Sequence, residues 1–115
     1  MGIDQKFAAM YECFNSRDAD GVLAFMTDDV HWPKAFEGGF VVGKNAVKEY
    51  WNRQWSEIDP TVTPVGTAVL PDGRIEVTVH QVVKDMSGAV LADMTVLHVY
   101  TLAADLVSQM NVVAE

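Results

Sequence analysis

The stretch IEVTVHQVVKDMSGAVLADMTVLHVY, residues 75–100, decides the fold class of this chain. Apolar and polar residues alternate along both of its halves, and an alternation of period two predicts β-strands. Residues 85–88, between the halves, form a turn signal. We therefore expect strands near 74–84 and 89–102, and the short connection makes them antiparallel neighbours.

Side-chain alternation also assigns the two faces of this hairpin. The more apolar face should pack against the rest of the chain. The inward set is Ile75, Val77, Val79, Gln81 and Val83 on the first strand, and Ala92, Met94, Val96, His98, Tyr100 and Leu102 on the second. The outward set of the first strand is Glu76, Thr78, His80 and Lys84. If residues 84 and 89 flank the turn, His80 stands opposite Asp93. We interpret this as an outer-face cross-strand pair, with a catalytic dyad as the alternative.

The same alternation extends to both sides of the hairpin. Two more strands are predicted near 61–69 and 106–113, and Pro71-Asp72-Gly73 marks a further turn. A short strand at residues 30–32 should end at Pro33, which cannot donate a backbone hydrogen bond. By alternation Trp32 should point inward and His31 outward.

Apolar residues at helical spacing predict three helices in the first half of the chain. The first carries Ile3, Phe7, Met10, Tyr11 and Phe14 on one stripe. The second begins at the N-cap Asp18, faces inward with Val22, Leu23, Phe25 and Met26, and closes at residues 27–29. The third follows Gly43 and faces inward with Val47, Tyr50, Trp51, Trp55 and Ile58.

Helices followed by strands predict an α+β fold, and 115 residues fit one domain, residues 1–115. We expect a curved, mostly antiparallel sheet with the three N-terminal helices laid across it. Such an arrangement leaves a cone-shaped pocket in which a small ligand would bind.

Composition excludes several classes of partner and cofactor. The formal charge of −8 argues against nucleic acid, and no apolar run approaches the ~18 residues of a membrane span. The N-terminus lacks the features of a secretory signal, so we expect a cytoplasmic protein. One cysteine, Cys13, allows neither an internal disulfide nor a cysteine-cluster metal site. The three histidines have no paired spacing, and phosphate-loop and dinucleotide motifs are missing, so we expect neither a metal nor a cofactor.

Three segments carry a resemblance to a known family. They are NSRDADGVLAFMTDDVHWP (15–33), GGFVVGKNAVKEYW (38–51) and HVYTLAADLVSQM (98–110). With them the chain resembles the nuclear-transport-factor-2-like superfamily, in particular its SnoaL-like and ketosteroid-isomerase-like branch. The resemblance implies a cystatin-like α+β roll. The family's closing hairpin usually has an Asp-Gly-Lys-type turn, and here that turn reads Ala103-Ala104-Asp105-Leu106.

The resemblance also allows the isomerase residues to be tested one by one. The carboxylate base after the first strand is replaced by Lys34, and the oxyanion-donating tyrosine of the first helix aligns with Met10, next to Tyr11. The second acid aligns with Leu97 or His98, and alternation favours His98. The standard isomerase set is therefore absent.

These residues lead to two hypotheses for function, since the scaffold hosts many activities. In the first, the chain is a cofactor-free acid/base enzyme of isomerase, cyclase or dehydratase type that acts on an apolar carbonyl compound. His98 and Tyr11 would be catalytic, because a histidine of ordinary pKa exchanges protons near neutrality. Tyr11, Gln81 or Tyr100 would donate to an oxyanion. The residues expected to bind substrate are Phe14, Trp32, Trp51, Trp55, Gln81, Met94 and Tyr100, with residues 36–40 as a rim over the mouth.

In the second hypothesis the chain is a non-catalytic ligand-binding or dimerisation module, and His98 is a core residue held by Gln81 or a backbone carbonyl. An accessory protein of stress or degradation pathways is a third possibility. The outward face of the sheet carries Val82 and Leu91, and sheet-mediated dimers are common in the resembling family. We therefore expect a homodimer through the sheet face.

Overall fold

The computed structural model describes residues 2–34 and 38–114, which form three helices and a six-stranded sheet. The helices are α1 (Ile3–Asn15), α2 (Ala19–Leu23) and α3 (Lys44–Glu57). The strands are β1 (Met26–Pro33), β2 (Phe40–Val42), β3 (Ile58–Val69), β4 (Ile75–Asp85), β5 (Val90–Ala103) and β6 (Leu106–Ala114). The predicted α+β architecture is confirmed.

The sheet has the strand order β2-β1-β6-β5-β4-β3. Neighbouring strands are antiparallel except for β1 and β6, which run parallel. Irregularities of register interrupt β3 between Pro64 and Gly66, and β5 between Thr101 and Leu102. Such bulges bend strands, so the sheet is curved. The helices pack on one face of it, where α1 contacts β3 and α3 contacts β1.

The core lies between the helices and the inward face of the sheet. Its most deeply buried side chains include Val22, Met26, Val30, Val47, Trp51, Ile75, Val77, Val79, Tyr100 and Val107. The inward direction predicted for the hairpin is thus confirmed at Ile75, Val77, Val79 and Tyr100. Met94 belongs to the same face but is 47% exposed.

Two predicted boundaries in the first half of the chain are wrong. The second helix ends at Leu23, and β1 begins at Met26. Residues 26–29 therefore belong to a strand, because Met26 pairs with Val107 of β6 and the Val107 N–H donates to the Phe25 carbonyl over 2.8 Å. Residues 40–42 form β2 and pair with β1, so Phe40, the last residue of the rim predicted over 36–40, belongs to a strand. Residues 36–37 of that rim lie outside the described residues.

The β4–β5 register also differs from the prediction. His80 pairs with Thr95, and Asp93 pairs with Val82. The register shifts between Val83 and Lys84, next to the turn. The partner of His80 is therefore two residues away from the predicted one, and a shift by two residues leaves every side chain on its predicted face of the sheet. His80 Nε2 still lies 2.7 Å from Asp93 Oδ1, as a diagonal pair on the outer face.

Polar side chains fix the connections between α1, α2 and the sheet. Asp18 caps α2 as predicted, because its Oδ1 accepts from the Gly21 N–H over 3.0 Å. The Asn15 side chain binds both backbone groups of Val62 in β3, donating to its carbonyl over 2.8 Å and accepting from its N–H over 2.9 Å. These contacts place the end of α1 beside β3.

The turn between β5 and β6 uses left-handed backbone without glycine. Ala104 and Asp105 have φ of 50° and 67°, as a two-residue hairpin turn of the primed type requires. The Lys6 side chain of α1 donates to the Asp105 carbonyl. The turn that departs from the family pattern is therefore tied to the first helix.

Candidate functional site

Three adjoining spaces form a funnel under the concave face of the sheet. The outer bowl has a volume of about 530 Å³, the neck about 70 Å³ and the inner chamber about 30 Å³. The bowl is lined by Pro33, Lys34, Gly38, Gly39, Phe40, Gln81, Ala92, Met94, Val96, Asn111 and Val112. The neck is lined by Phe14, Trp32, Pro33, Tyr50, Gln54, Pro60, Val62, Gln81, His98, Met110 and Val112. The chamber is lined by Met10, Tyr11, Phe14, Val22, Trp32, Val62, His98 and Tyr100.

His98 lies where the neck meets the chamber and lines both. Its side chain is 6% exposed. The Nδ1 atom lies 2.7 Å from the Tyr11 hydroxyl, which in turn lies 2.7 Å from the Tyr100 hydroxyl. Strand β5 supplies His98 and Tyr100, two residues apart on one face, and α1 brings Tyr11 onto them. The structure therefore joins three side chains that are 87 and 89 positions apart into one buried chain of hydrogen bonds.

Burial keeps all three groups of this chain neutral. It lowers the pKa of His98 to about 4, since an apolar surrounding disfavours the imidazolium. It raises the pKa of Tyr11, with a smaller contribution from Tyr100, and it raises the pKa of Tyr100. The ordinary pKa on which the expected proton exchange of His98 rested therefore does not apply to the buried ring, and its catalytic role stays a prediction.

The second ring nitrogen of His98, Nε2, makes no hydrogen bond to the described residues. The part of the chamber wall that the structure describes presents no accessible polar surface, so a ligand would reach this nitrogen from the neck, where Gln54 and Gln81 also lie. The described residues that line the three spaces include no Asp or Glu, and Lys34 in the bowl is their only cation. The funnel thus combines largely apolar walls with uncharged polar side chains, among them His98 where neck and chamber meet.

The predicted wall residues divide into two sets. Phe14, Trp32 and Tyr100 line the chamber, Gln81 lines the neck and the bowl, and Met94 lines the bowl. Trp51 and Trp55 line none of these spaces. Trp51 is fully buried and packs edge to face against Trp32, with ring centroids 5.1 Å apart, and Trp55 packs against Phe14 at 5.2 Å.

Trp51 and Trp55 lie behind the residues that line the funnel. The Nε1 atoms of both Trp51 and Trp55 are buried without a hydrogen-bond partner in the described part of the chain. Both indoles pack edge to face against rings that line the funnel, Trp51 against Trp32 and Trp55 against Phe14. They therefore form a second layer behind these lining residues.

Gln54 in the neck and Asn111 in the bowl were not anticipated as lining residues. Gln54 lies one helical turn after Tyr50, so helical spacing carries the signal for it. Asn111 carries no comparable signal, because it alternates with Met110 and Val112, the apolar residues of β6 that line the neck.

The other histidines lie away from the funnel. The side chains of His80 and Asp93 are 47% and 61% exposed, as expected for an outer-face pair. His31 contacts Phe40 of β2, with ring centroids 6.1 Å apart. Within residues 2–34 and 38–114, no three His, Cys, Asp or Glu side chains are grouped to hold a metal ion, and no helix is long and apolar enough to cross a membrane.

Comparisons with solved structures give the same fold. TerC, crystallised with polyporic acid, has a TM-score of 0.82 at 23% identity, covering 97% of this chain and 90% of TerC. RV0760c from Mycobacterium tuberculosis, in complex with estradiol-17beta-hemisuccinate, has a TM-score of 0.77 at 22% identity, covering 90% and 86%. Delta 5-3-ketosteroid isomerase from Mycobacterium sp. has a TM-score of 0.79 at 20% identity, covering 98% and 92%.

Among curated proteins, none matches the chain significantly. The family comparison is positive, because the SnoaL-like domain matches residues 7–110. This range extends from the first core residue of α1, Phe7, into β6, and so contains the helices and strands that build the funnel. The chain therefore belongs to the SnoaL-like domain family.

Proposed function

We propose that this domain binds a small apolar carbonyl compound in the funnel, with the carbonyl oxygen at His98, and acts on it as a cofactor-free enzyme of isomerase, cyclase or dehydratase type. The observation that carries the proposal is the position of His98. It is the one titratable side chain that lines both neck and chamber while its Nε2 has no partner among the described residues.

The dimensions of the funnel restrict how a ligand would lie. Sites for drug-sized ligands span roughly 300–1,000 Å³, and only the bowl, at about 530 Å³, falls in that range. The chamber, at about 30 Å³, has room for a few atoms. We therefore expect the bulk of the ligand to lie in the bowl, against Phe40 and Met94, and a narrow polar end to pass the neck.

The surroundings of His98 suit the stabilisation of negative charge on oxygen. A neutral donor held in an apolar, water-poor site stabilises a developing oxyanion far better than one in water. Burial lowers the pKa of His98 to about 4, so the ring acts at neutral pH as a hydrogen-bonding group. Since no carboxylate lines the described funnel, a proton leaving carbon would go to water or to a group of the substrate itself.

The structural relatives support this proposal in a general way. One is a ketosteroid isomerase, and two were crystallised with polyporic acid and with an estradiol hemisuccinate. The fold therefore accommodates cyclic organic ligands in other proteins.

The test is exchange of the α-protons of 2-tetralone for deuterium in D₂O, followed by proton NMR. We expect faster exchange with the protein than with buffer, lost in His98→Met and kept in His80→Gln, which changes only the outer face. Binding of 2-tetralone without faster exchange would favour the non-catalytic alternative. Absence of both binding and exchange across a panel of cyclic ketones would contradict the proposal.

A non-catalytic binding or dimerisation module is the second candidate, and the small chamber favours it. The aromatic rings of Tyr11, Phe14, Trp32 and Tyr100 fill much of the space that a ligand would need. However, His98 is held by a side chain, Tyr11, and not only by backbone.

The homodimer through the sheet face belongs to this proposal as well. Leu91 on the outward face is 59% exposed, and an apolar contact there would cover it. Light scattering should give twice the mass of 12.7 kDa, and Leu91→Asp should reduce it to the monomer value. A monomeric wild type would contradict the dimer. The cytoplasmic location stays a prediction.

A further inference from the structure

The hydrogen-bond chain Tyr100–Tyr11–His98 has a countable number of protons. Each tyrosine has one O–H, and a neutral imidazole has one N–H on either Nδ1 or Nε2. The two contacts are both 2.7 Å long, so each must hold one proton. Three arrangements satisfy this condition with all groups neutral. In one of them His98 Nδ1–H and Tyr100 both donate to Tyr11, which leaves the buried Tyr11 O–H without an acceptor among the described residues, and a buried donor of that kind is costly. The other two differ in the direction in which all the protons point.

In the first arrangement Tyr100 donates to Tyr11, and Tyr11 donates to His98 Nδ1. The imidazole proton is then on Nε2, the ring nitrogen that Tyr11 does not bind. All buried hydroxyl protons are used. The remaining donor, Nε2–H, belongs to the residue that lines both neck and chamber.

In the second arrangement His98 Nδ1–H donates to Tyr11, and Tyr11 donates to Tyr100. The Tyr100 proton then needs an acceptor of its own. Tyr100 is 0% exposed, and its hydroxyl has no hydrogen-bond partner other than Tyr11 in the described part of the chain. A buried donor without an acceptor is costly, and the first arrangement is favoured by roughly one to two orders of magnitude.

We propose that Tyr11, backed by Tyr100, holds His98 in the Nε2–H tautomer, so that His98 offers a hydrogen-bond donor to a ligand in the neck and favours ligands whose inner end is a neutral acceptor. The selection of ligands rests on the function proposed above; the tautomer does not. Tyr11 is thereby a positioning residue, because its only proton is used on Nδ1.

This inference changes the roles expected from the sequence. Tyr11 and Tyr100 cannot donate to a ligand oxygen without breaking the bonds that hold His98. A ligand with a hydrogen-bond donor at its inner end would place that donor opposite the N–H of His98 Nε2, and neither would find an acceptor. An anionic end would be desolvated in the chamber, since Lys34, the one cation among the described lining residues, lies in the bowl. A ketone or a similar neutral acceptor avoids both problems, because its inner end carries neither a donor nor a charge.

The tautomer can be measured without a ligand. Two-bond correlation NMR of ¹⁵N-labelled protein distinguishes protonated from unprotonated ring nitrogens, and His98 should show a protonated Nε2 near pH ~7. In Tyr11→Phe we expect the Nδ1–H form to become populated, because Nδ1 has lost its donor. A wild type with Nδ1–H, or a ratio unchanged in Tyr11→Phe, would overturn the inference.

The selection is tested with two probes of nearly equal shape, acetophenone and α-methylstyrene, which differ by C=O against C=CH₂. One hydrogen bond should make acetophenone bind about three- to tenfold more tightly. The preference should persist in His98→Gln, which keeps an N–H donor, and disappear in His98→Met.

The outcomes separate this inference from the proposed function. Equal binding of the two probes to wild type would overturn the selection while leaving a ligand site in the funnel. Failure of both probes and of the ketone panel to bind would overturn the proposed function and the selection together, and the NMR result would still decide the tautomer. If Tyr11→Phe does not fold, the wild-type tautomer and the His98 pair of variants still decide it.

Discussion

Replacing Tyr11 by Phe should destabilise the fold more than its small change in volume suggests. The Tyr11 oxygen makes both 2.7 Å hydrogen bonds of the buried chain, and each is worth about 1 kcal/mol net. The substitution also leaves the Tyr100 hydroxyl buried without a partner among the described residues, at a cost of about 1–3 kcal/mol. Tyr11→Phe should therefore lower the free energy of unfolding by about 3–5 kcal/mol, a large part of the ~5–15 kcal/mol of a typical domain.

The matched control is Tyr100→Phe. It removes one hydrogen bond but leaves Tyr11 bound to His98, so the loss should be about 0.5–1.5 kcal/mol. In the double variant the orphaned hydroxyl is gone. The double variant should therefore be no less stable than Tyr11→Phe alone. Its loss of stability is then smaller than the sum of the two single losses by about 1 kcal/mol, and this difference is the coupling energy between the two sites.

Urea unfolding followed by tryptophan fluorescence near pH ~7.5 measures all four proteins of this cycle. Circular dichroism of each native state checks that the fold is retained. If the two single losses add up in the double variant, or if Tyr100→Phe costs more than Tyr11→Phe, the Tyr11 hydroxyl is not the shared member of the chain and the reasoning fails.

Three further predictions concern other parts of the molecule. Asn15→Ala removes both hydrogen bonds to β3 and should cost about 1–3 kcal/mol in urea unfolding, whereas Asn52→Ala on the exposed face of α3 should change stability by less than about 0.5 kcal/mol; equal effects would contradict the role of Asn15. Because burial lowers the pKa of His98 to about 4, below the ordinary ~6.5 that it has when unfolded, the unfolded state binds more protons as pH falls below ~6.5, and stability that is complete above this pH is lost toward ~4. Between pH ~7.5 and ~5 the wild type should lose about 2 kcal/mol more than His98→Gln, and parallel pH profiles would refute this. Asp93→Asn should change stability by less than about 1 kcal/mol and leave binding of 2-tetralone unaltered, whereas a loss of binding would revive a catalytic role for the pair with His80.

The fold was predictable because its main signals are local. Alternation through residues 75–100 gave the hairpin and its inward face, and helical spacing gave α1 and α3. The errors lie where a distant partner decides the structure. Residues 26–29 form a strand because β6 lies beside them, and β6 comes some 80 positions later in the chain.

For the candidate site, the sequence indicates which side chains point inward better than it indicates their hydrogen bonds and pKa values. Alternation placed His98 inward, and the helical stripe placed Tyr11 on the same side. The bond between them depends on how α1 lies across β5, which no local pattern specifies. The pKa of His98 depends in turn on the depth of burial, and a sequence gives only its ordinary value. Trp51 and Trp55 were predicted on the correct side of α3, but the intervening rings of Trp32 and Phe14 separate them from the chamber.

The two hydrogen bonds between the Asn15 side chain and Val62 have a consequence for association between molecules of this protein. Strand β3 is the last of the sheet, and the exposed edge of a sheet is a template on which a strand of another chain can add. Asn15 engages both Val62 backbone groups on that edge, and Pro60 and Pro64, two positions to either side in β3, have no N–H to offer. An incoming strand would find no free N–H at residues 60, 62 and 64 and no free carbonyl at Val62. The side chain that fastens α1 to the sheet thus also blocks this part of the edge against the addition of a strand.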